Sequence, residues 1–412
     1  MNGSEHPPMS RLRIMHVIDS LGMGGTEEGV RKLLAGLDPS AFEQTVCTVA
    51  PSPEVDAKSG SRVISLGRSN GERKLLVGKM KAVFERERPH VVHSRNWGAI
   101  EAVVAARMAG VGTVIHSEHG LELSTYRRQP WRRNLIRRLC FSWADRVFAV
   151  SGALRTYYAQ QLWMAESRME VIANGVDTAK FRRQEEIRRI TRRKLGADAD
   201  TLVIGTVGRL DPVKDHRTVF RAVDSLLTMA LPVQLVIVGE GPERRALEAE
   251  IQARTSLARR TSFVGETSNI VSQLNSFDIF VLPSLAEGMS NALLEAMSVG
   301  VACVATRVGG NSELVEEGSS GLLFEAGDWK MLAAHLKTLA LDPELRSDLG
   351  RSARRRVENC FSLDRMLSRY AHMYEGLLDR DRREVGRVEL PAFNSNRRGV
   401  SPGPAIGETT TE

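Results

Sequence analysis

The chain has 412 residues, of which 42% are hydrophobic and 26% charged, proportions that exclude a disordered or fibrous architecture and suffice for two or three domains of roughly 150 residues. The net charge is +7, and residues 1–178, with 24 basic and 18 acidic side chains, carry +6 of it, an imbalance that favours polyanionic or membrane-surface partners and says nothing of fold. Cys47, Cys140, Cys303 and Cys360 stand far apart without C-x-x-C spacing, which excludes a disulfide framework and a cysteine zinc site, and neither a secretory signal nor a run of about 18 apolar residues is found.

Apolar β-rich runs alternate with longer helical patterns, as in parallel sheets built from βαβ units. After residues 1–10, read as a flexible N-terminus, strands are predicted near 14–19, 45–49, 63–66, 91–94, 113–117, 147–150 and 171–174. Helices are predicted between several of them, over 25–37, 72–87 and 98–109. The first strand runs into Leu21-Gly22-Met23-Gly24-Gly25-Thr26-Glu27, where Gly24 and Gly25 permit positive φ and close approach of backbone to a ligand. A dinucleotide site would place a carboxylate at the end of the next strand. That strand ends Thr48-Val49-Ala50-Pro51 and has none. Further on, Ile115-His116-Ser117-Glu118-His119-Gly120 closes the fifth strand. Of its two histidines, His119 and His116, the latter is expected to point back into the sheet, and His93, near the end of the preceding strand, is a lesser cleft candidate.

The segment Tyr126–Trp143 carries six arginines. On a helix starting near Pro130, Trp131, Leu135, Leu139 and Trp143 form a stripe at spacing four, expected to pack on the sheet. Arg132, Arg133, Arg137 and Arg138 then face outward, either simply solvated or directed to the phosphate headgroups of an anionic membrane. No pattern for nucleic-acid binding is present.

A polar, arginine-dense linker over 179–199 precedes a second series of strands, near 202–207, 234–238, 262–264, 279–283 and 302–306. An α/β fold of two Rossmann-like domains with parallel sheets, 11–178 and 200–361, is therefore expected, with ligands at the carboxyl ends of the strands around one cleft. Arg209 and Lys214 follow the first strand of the second domain and can reach that cleft; otherwise Lys214 would pair on the surface with Asp211 or Asp215. In Phe280–Met297 a buried strand ends at Pro283, a loop carries Glu287 and Gly288, and a helix opens with Ser290 as N-cap. A helix start at such a sheet end can hold an anion. Glu287 before it and Glu295 in its second turn can address different parts of one extended ligand; taken alone, each would be a solvated charge. Residues 362–378 read as a last helix and 379–412 as a disordered tail. The Asp-x-Asp pairs Asp198/Asp200 and Asp379/Asp381 stand away from the cleft motifs, so no metal site is expected.

Glu287-x7-Glu295 with Gly300, Val308-Gly309-Gly310-Asn311-Ser312-Glu313, Gly205-Thr206-Val207-Gly208-Arg209-Leu210 with Lys214, Val238-Gly239-Glu240-Gly241-Pro242, and Asn174-Gly175-Val176-Asp177 with Phe181 follow in an order that resembles family 4 of the retaining glycosyltransferases, two-domain GT-B enzymes. The resemblance covers about residues 12–378. It implies that Arg209 and Lys214 hold the donor diphosphate, that Glu295 takes the ribose hydroxyls, and that Glu287 and His119 lie near the transferred sugar. It places the backbone of Gly288, Met289, Ser290 and Asn291 against donor sugar and phosphate, and turns the Gly24–Gly25 loop to the diphosphate and acceptor. The implied activity is retaining transfer from a UDP- or GDP-linked sugar to a glycan or lipid-linked glycan in bacterial exopolysaccharide or other cell-surface polysaccharide assembly. Neither cofactor nor metal is implied. The last helix would return to brace the first domain, and the location implied is the cytoplasm, peripheral on the inner face of the membrane. The alternatives are another GT-B enzyme, an epimerase or phosphorylase, or a non-catalytic GT-B scaffold.

Overall fold

A computed structural model describes residues 11–22, 24–56, 59–68, 73–120 and 130–385. A seven-stranded parallel sheet comprises β1 (Leu12–Ile18), β2 (Phe42–Thr48), β3 (Val63–Ser65), β4 (Val91–Arg95), β5 (Thr113–Glu118), β6 (Arg146–Ala149) and β7 (Glu170–Val171), in the order β3-β2-β1-β4-β5-β6-β7. A six-stranded parallel sheet comprises β8 (Leu202–Val207), β9 (Val233–Val238), β10 (Thr261–Gly265), β11 (Ile279–Leu282), β12 (Ala302–Thr306) and β13 (Leu322–Phe324), in the order β10-β9-β8-β11-β12-β13. The expected pair of Rossmann-like sheets is present. In each, the chain order reverses once, between β1 and β4 and between β8 and β11, and ligands of such sheets bind beside that reversal at the strands' carboxyl ends.

The local reasons are ordinary. Strands β4, β5, β9, β11 and β12 are buried along their whole length, as central parallel strands covered on both faces must be. The helix His216–Thr228 buries Val219, Phe220, Val223 and Leu226 along one stripe. The edge strand β13 was not expected from the sequence.

Within the linker, the helix Glu185–Lys194 is anchored: Arg192 donates to Asp278 at 2.8 Å, and Arg188 pairs with the same carboxylate. One correction concerns the far end of the second half. The last helix, Leu363–Val385, runs past Leu378, so residues 379–385 are helical and not tail. The first compact unit of the chain ends at His372. Inside it the helix does return to the first sheet: Leu363 N donates to the Val176 carbonyl at 2.8 Å, Gly175 N meets Met366 Sδ at 3.2 Å, and the Tyr370 ring lies 5.5 Å from that of Phe148. Residues 1–10 and 386–412, the remainder of the expected flexible ends, lie outside the described residues.

Candidate active site

Strand β8 ends at Val207 and the chain turns through Gly208-Arg209. Gly239 adopts φ +140°, and a Cβ there would stand 2.0 Å from the Gly208 carbonyl oxygen. The Val238–Pro242 motif is thus a backbone support for the Arg209 turn, and no residue with a side chain fits. Arg209 itself is 67% exposed, with Asp211 at 3.9 Å. Lys214 ends a single helical turn that Asp211 caps, accepting from Val213 N at 3.1 Å. Its ammonium pairs neither with Asp211 nor with Asp215 but with Glu287 Oε1. Ser284 Oγ donates to the same oxygen at 2.6 Å, and Leu285 N donates to the Val213 carbonyl at 2.7 Å. The loops after β8 and β11 are therefore tied together at the reversal point, with Lys214 and Glu287 in contact.

The Glu287 loop is held from behind by Gly309 and Gly310. A Cβ on Gly309, at φ +49°, would lie 1.9 Å from the Glu287 carbonyl oxygen, and Gly310 N donates to the Gly288 carbonyl at 2.9 Å. The helix Asn291–Val299 then starts as expected, Ser290 Oγ accepting from Leu293 N at 3.3 Å. Its first amides, at Asn291 and Ala292, have no partner within the helix, and they open toward a site where negative charge is favoured.

The first domain supplies the facing wall. A Cβ on Gly288 would stand 2.1 Å from the His119 carbonyl oxygen, so these two turns touch backbone to backbone. Asn291 Nδ2 donates to the Gly25 carbonyl at 3.2 Å, and Asn174 Nδ2 donates to the Met289 carbonyl at 3.1 Å. Asn174 N also meets Met289 Sδ at 3.3 Å, so the first domain engages both the Met289 and the Asn291 side chains. Gly24 is filled by the Glu27 carboxylate, which a Cβ would meet at 2.3 Å; Met23 lies outside the described residues.

Glu295 is half-buried, and burial pushes its carboxyl up to about 7 against the pull of Lys32 and Lys180, with Glu28 adding to the rise. Lys32, which the sequence did not single out, lies on the helix Gly25–Gly36 and donates to the Gly175 carbonyl at 2.8 Å and to Asn291 Oδ1 at 3.5 Å. Its signal was its position: Gly25, Glu28 and Lys32 stand at i, i+3 and i+7 and share the helix face that starts at the glycine turn. Glu313, at the end of the Val308–Glu313 motif, makes a second contact that no local pattern announces. It caps the other domain, accepting from Gly152 N at 2.9 Å and Ala153 N at 2.7 Å at the start of the helix Gly152–Gln161.

His119 stands at the cleft with Nε2 2.9 Å from Ser117 Oγ, and its main-chain N–H donates to Asn96 Oδ1 at 2.7 Å. Burial, reinforced by Arg95, lowers its pKa to about 3, so the ring is neutral. His116 turns into the sheet as expected, with Nδ1 2.7 Å from Ser94 Oγ.

The basic helix, Trp131–Trp143, is rotated relative to expectation. Arg137 is only 2% exposed; it donates to Glu118 Oε1 at 2.7 Å and lies 4.7 Å over the Tyr158 ring. Arg133 stacks 4.4 Å over Trp97. Arg138 donates to the Leu162 and Trp163 carbonyls at 2.9 and 3.2 Å, and Arg132 is exposed beside Trp131. It is the apolar stripe that faces outward: Trp131 is 66% and Leu139 51% exposed, with Leu135, Ile136 and Trp143 also exposed. The cause is Glu118, a carboxylate buried at the end of β5 that requires a cation, and Arg137 supplies it. Tyr126–Gln129, the start of this basic segment, lies outside the described residues.

Comparison with known proteins bears on both domains. Residues 23–180 match the family described as Glycosyltransferase Family 4, and residues 187–356 that described as Glycosyl transferases group 1. The lipopolysaccharide core biosynthesis mannosyltransferase LpsB of Rhizobium meliloti is 32% identical over 267 residues, 62% of this chain and 71% of that protein. The UDP-Gal:alpha-D-GlcNAc-diphosphoundecaprenol alpha-1,3-galactosyltransferase of Escherichia coli is 27% identical over 314 residues, 74% of this chain and 79% of that protein. Among solved structures, that of Anabaena HepE in complex with UDP-glucose superposes with a TM-score of 0.77 at 21% identity, covering 88% of this chain and 99% of that one. With matches spanning both sheets and the loops that meet between them, the chain belongs to the family 4 glycosyltransferases, enzymes of the GT-B fold.

Proposed function

We propose that the chain transfers a sugar, with retention at the anomeric carbon, from a UDP- or GDP-linked donor to a glycan or lipid-linked glycan in the assembly of bacterial exopolysaccharide or another cell-surface polysaccharide. The observation that carries this reading is the contact of Lys214 with Glu287 at the reversal point of the second sheet, opposite His119 and Gly25 of the first. The names of the Escherichia coli and Rhizobium meliloti relatives support the substrate classes. In the reaction, the bond from the anomeric carbon to the terminal phosphate oxygen breaks and its electron pair goes to the phosphate. The acceptor oxygen bonds to that carbon on the same face, and its proton passes to the leaving phosphate. Arg209, Lys214 and the amides opening the Asn291–Val299 helix meet charge that grows in the transition state. Glu287 holds the Lys214 ammonium in the cleft until the diphosphate shares it. Glu295, as carboxylate, accepts from the ribose hydroxyls. No resident cofactor or metal is needed, since the phosphate charge is met by these groups.

Replacing Lys214 by Ala is expected to lower kcat by about 10²–10³-fold with a smaller change in donor KM. A rise in KM alone would contradict the transition-state role. Equal, near-background turnover of the wild type and Glu287→Ala would mean a scaffold rather than an enzyme, and an epimerised donor would mean the rival chemistry.

The exposed stripe of the Trp131–Trp143 helix supports a second part of the reading, contact with an anionic membrane on the cytoplasmic side. Trp163, 74% exposed, is held to this helix by Arg138, Met108 is exposed next to Arg107, which donates to the Trp143 carbonyl, and Arg132 and Arg138 are exposed on the same helix. Apolar side chains at the acyl boundary with cations at headgroup level fit an anionic bilayer, and the positive first half of the chain adds to the attraction. Among the described residues no helix is long and apolar enough to cross a membrane.

A further inference from the structure

A guanidinium carries only donors, and a fully buried one dictates the direction of every hydrogen bond chained to it. Arg95, at the end of β4, is such a group. Its Nη1 lies 3.2 Å from His16 Nδ1 and its Nη2 3.2 Å from His93 Nδ1. Both Nδ1 atoms must therefore accept. Burial, with Arg95 adding to it, holds the His16 pKa down to about 3 and that of His93 well below its ordinary value. Each ring is neutral and keeps its one proton on Nε2. The His16 branch provides an independent check: its Nε2 is 3.0 Å from Gln44 Oε1, an acceptor, while the Gln44 amide nitrogen donates to the Leu33 carbonyl at 3.1 Å.

The other branch reaches the cleft. His93 Nε2–H donates to Ser117 Oγ at 2.9 Å, and the buried Ser117 hydroxyl, which meets no other acceptor among the described residues, donates to His119 Nε2 at 2.9 Å. His119 must accept at Nε2, and a neutral ring that accepts there carries its proton on Nδ1. Among the described residues no acceptor meets Nδ1. The charged or titratable groups facing the ring are Arg95, Glu118, His116 and His93, and burial with Arg95 outweighs Glu118.

We propose that Arg95, acting through His93 and Ser117, fixes His119 as an Nδ1–H donor, so that His119 gives a hydrogen bond to a substrate oxygen in the cleft and takes no proton from the acceptor. Arg95, His93 and Ser117 are then positioning residues. This rests on the proposed sugar transfer for the identity of the oxygen, a sugar or phosphate oxygen bound beside Gly288, but not for the tautomer. His119 becomes a specificity element: a donor lacking its hydroxyl partner would bind with an N–H left unpaired.

The test is the imidazole ¹⁵N spectrum of the full chain labelled in its nine histidines, with the His119 signals assigned by loss in His119→Gln. The wild type is expected to show His119 as the neutral Nδ1–H form, unchanged from about pH 6 to about pH 9. Ser117→Ala, a small deletion at a buried site, should release the ring to a mixture of tautomers and lower kcat about tenfold, and Ser117→Thr should restore both. An Nε2–H form in the wild type, titration near the ordinary histidine range, or an unchanged His119 spectrum in Ser117→Ala would overturn the proposal. The spectrum is read on unliganded protein, so it stands even where no sugar transfer is detected; transfer that fails with the tautomer intact would count against the proposed function alone.

Discussion

Glu295 shows how a single residue couples the two domains to pH. Its carboxyl, lifted to about 7 by burial, is balanced by Lys32 from the first domain and by Lys180. A carboxylate accepts strongly from two ribose hydroxyls at once, whereas the protonated acid turns one of those acceptors into a donor and weakens the other. An acid with a raised pKa is charged only above that value, so affinity for a UDP-sugar should rise as pH increases from about 6 to about 8. The diphosphate of such a donor stays ionised throughout this interval, which leaves Glu295 as the titrating group. Lys32→Met removes the nearest cation and should move the inflection to higher pH; Glu295→Gln should abolish it. Calorimetric titration across this interval decides the matter, and a flat profile for the wild type would remove Glu295 from the ribose.

At the level of elements, the Trp131–Trp143 helix is the instructive case. Its stripe and its arginines share the same period, so amphipathicity alone allows either face to turn inward. One buried carboxylate selects the outcome: Glu118 draws Arg137 in, Trp97 and Tyr158 stack on the guanidinium groups, and the tryptophans and leucines are left in solvent. The proposed membrane contact is then made by the apolar residues. Leu135→Glu with Leu139→Glu should weaken sedimentation with vesicles containing phosphatidylglycerol by about tenfold or more, given roughly 1.5–3 kcal/mol for each leucine removed from water. Unchanged binding would dispose of the surface as a membrane site. Vesicles of phosphatidylcholine alone should bind less, because Arg132 and Arg138 then lack anionic partners.

On the scale of the whole molecule, residues of the two domains meet directly, and Glu313 makes the contact best suited to measurement. It neutralises the start of a helix across the cleft, at Gly152 N and Ala153 N, where a carboxylate contributes about 1 kcal/mol. Glu313→Ala should speed hydrogen exchange at these two amides by about fivefold, while the strands of both sheets keep their protection. No change at Gly152 and Ala153 would mean that the tether does not form in solution. The chain crosses between the domains twice at one place, where Val176 N donates to the Phe361 carbonyl at 3.0 Å and a Cβ on Gly175 would stand 2.7 Å from the Ser362 carbonyl oxygen, a narrow joint of the kind that permits closure over a substrate.

The two parallel sheets, the turns at Gly24–Gly25 and Gly208–Arg209, the Ser290 cap and the spacing of Glu287 and Glu295 were legible in the residues, because each is written in the period, the glycines or the caps of a short stretch. The last strand was missed, and so was the length of the last helix, its local signal being weak. The partners of Lys32, Asn291 and Glu313 were not legible at all. They lie 143, 266 and 161 positions away along the chain, and no local pattern records such pairings. The inward face of the basic helix belongs with them. A buried charge is tolerable only when its counter-charge arrives, and where that counter-charge comes from is settled by packing across the fold.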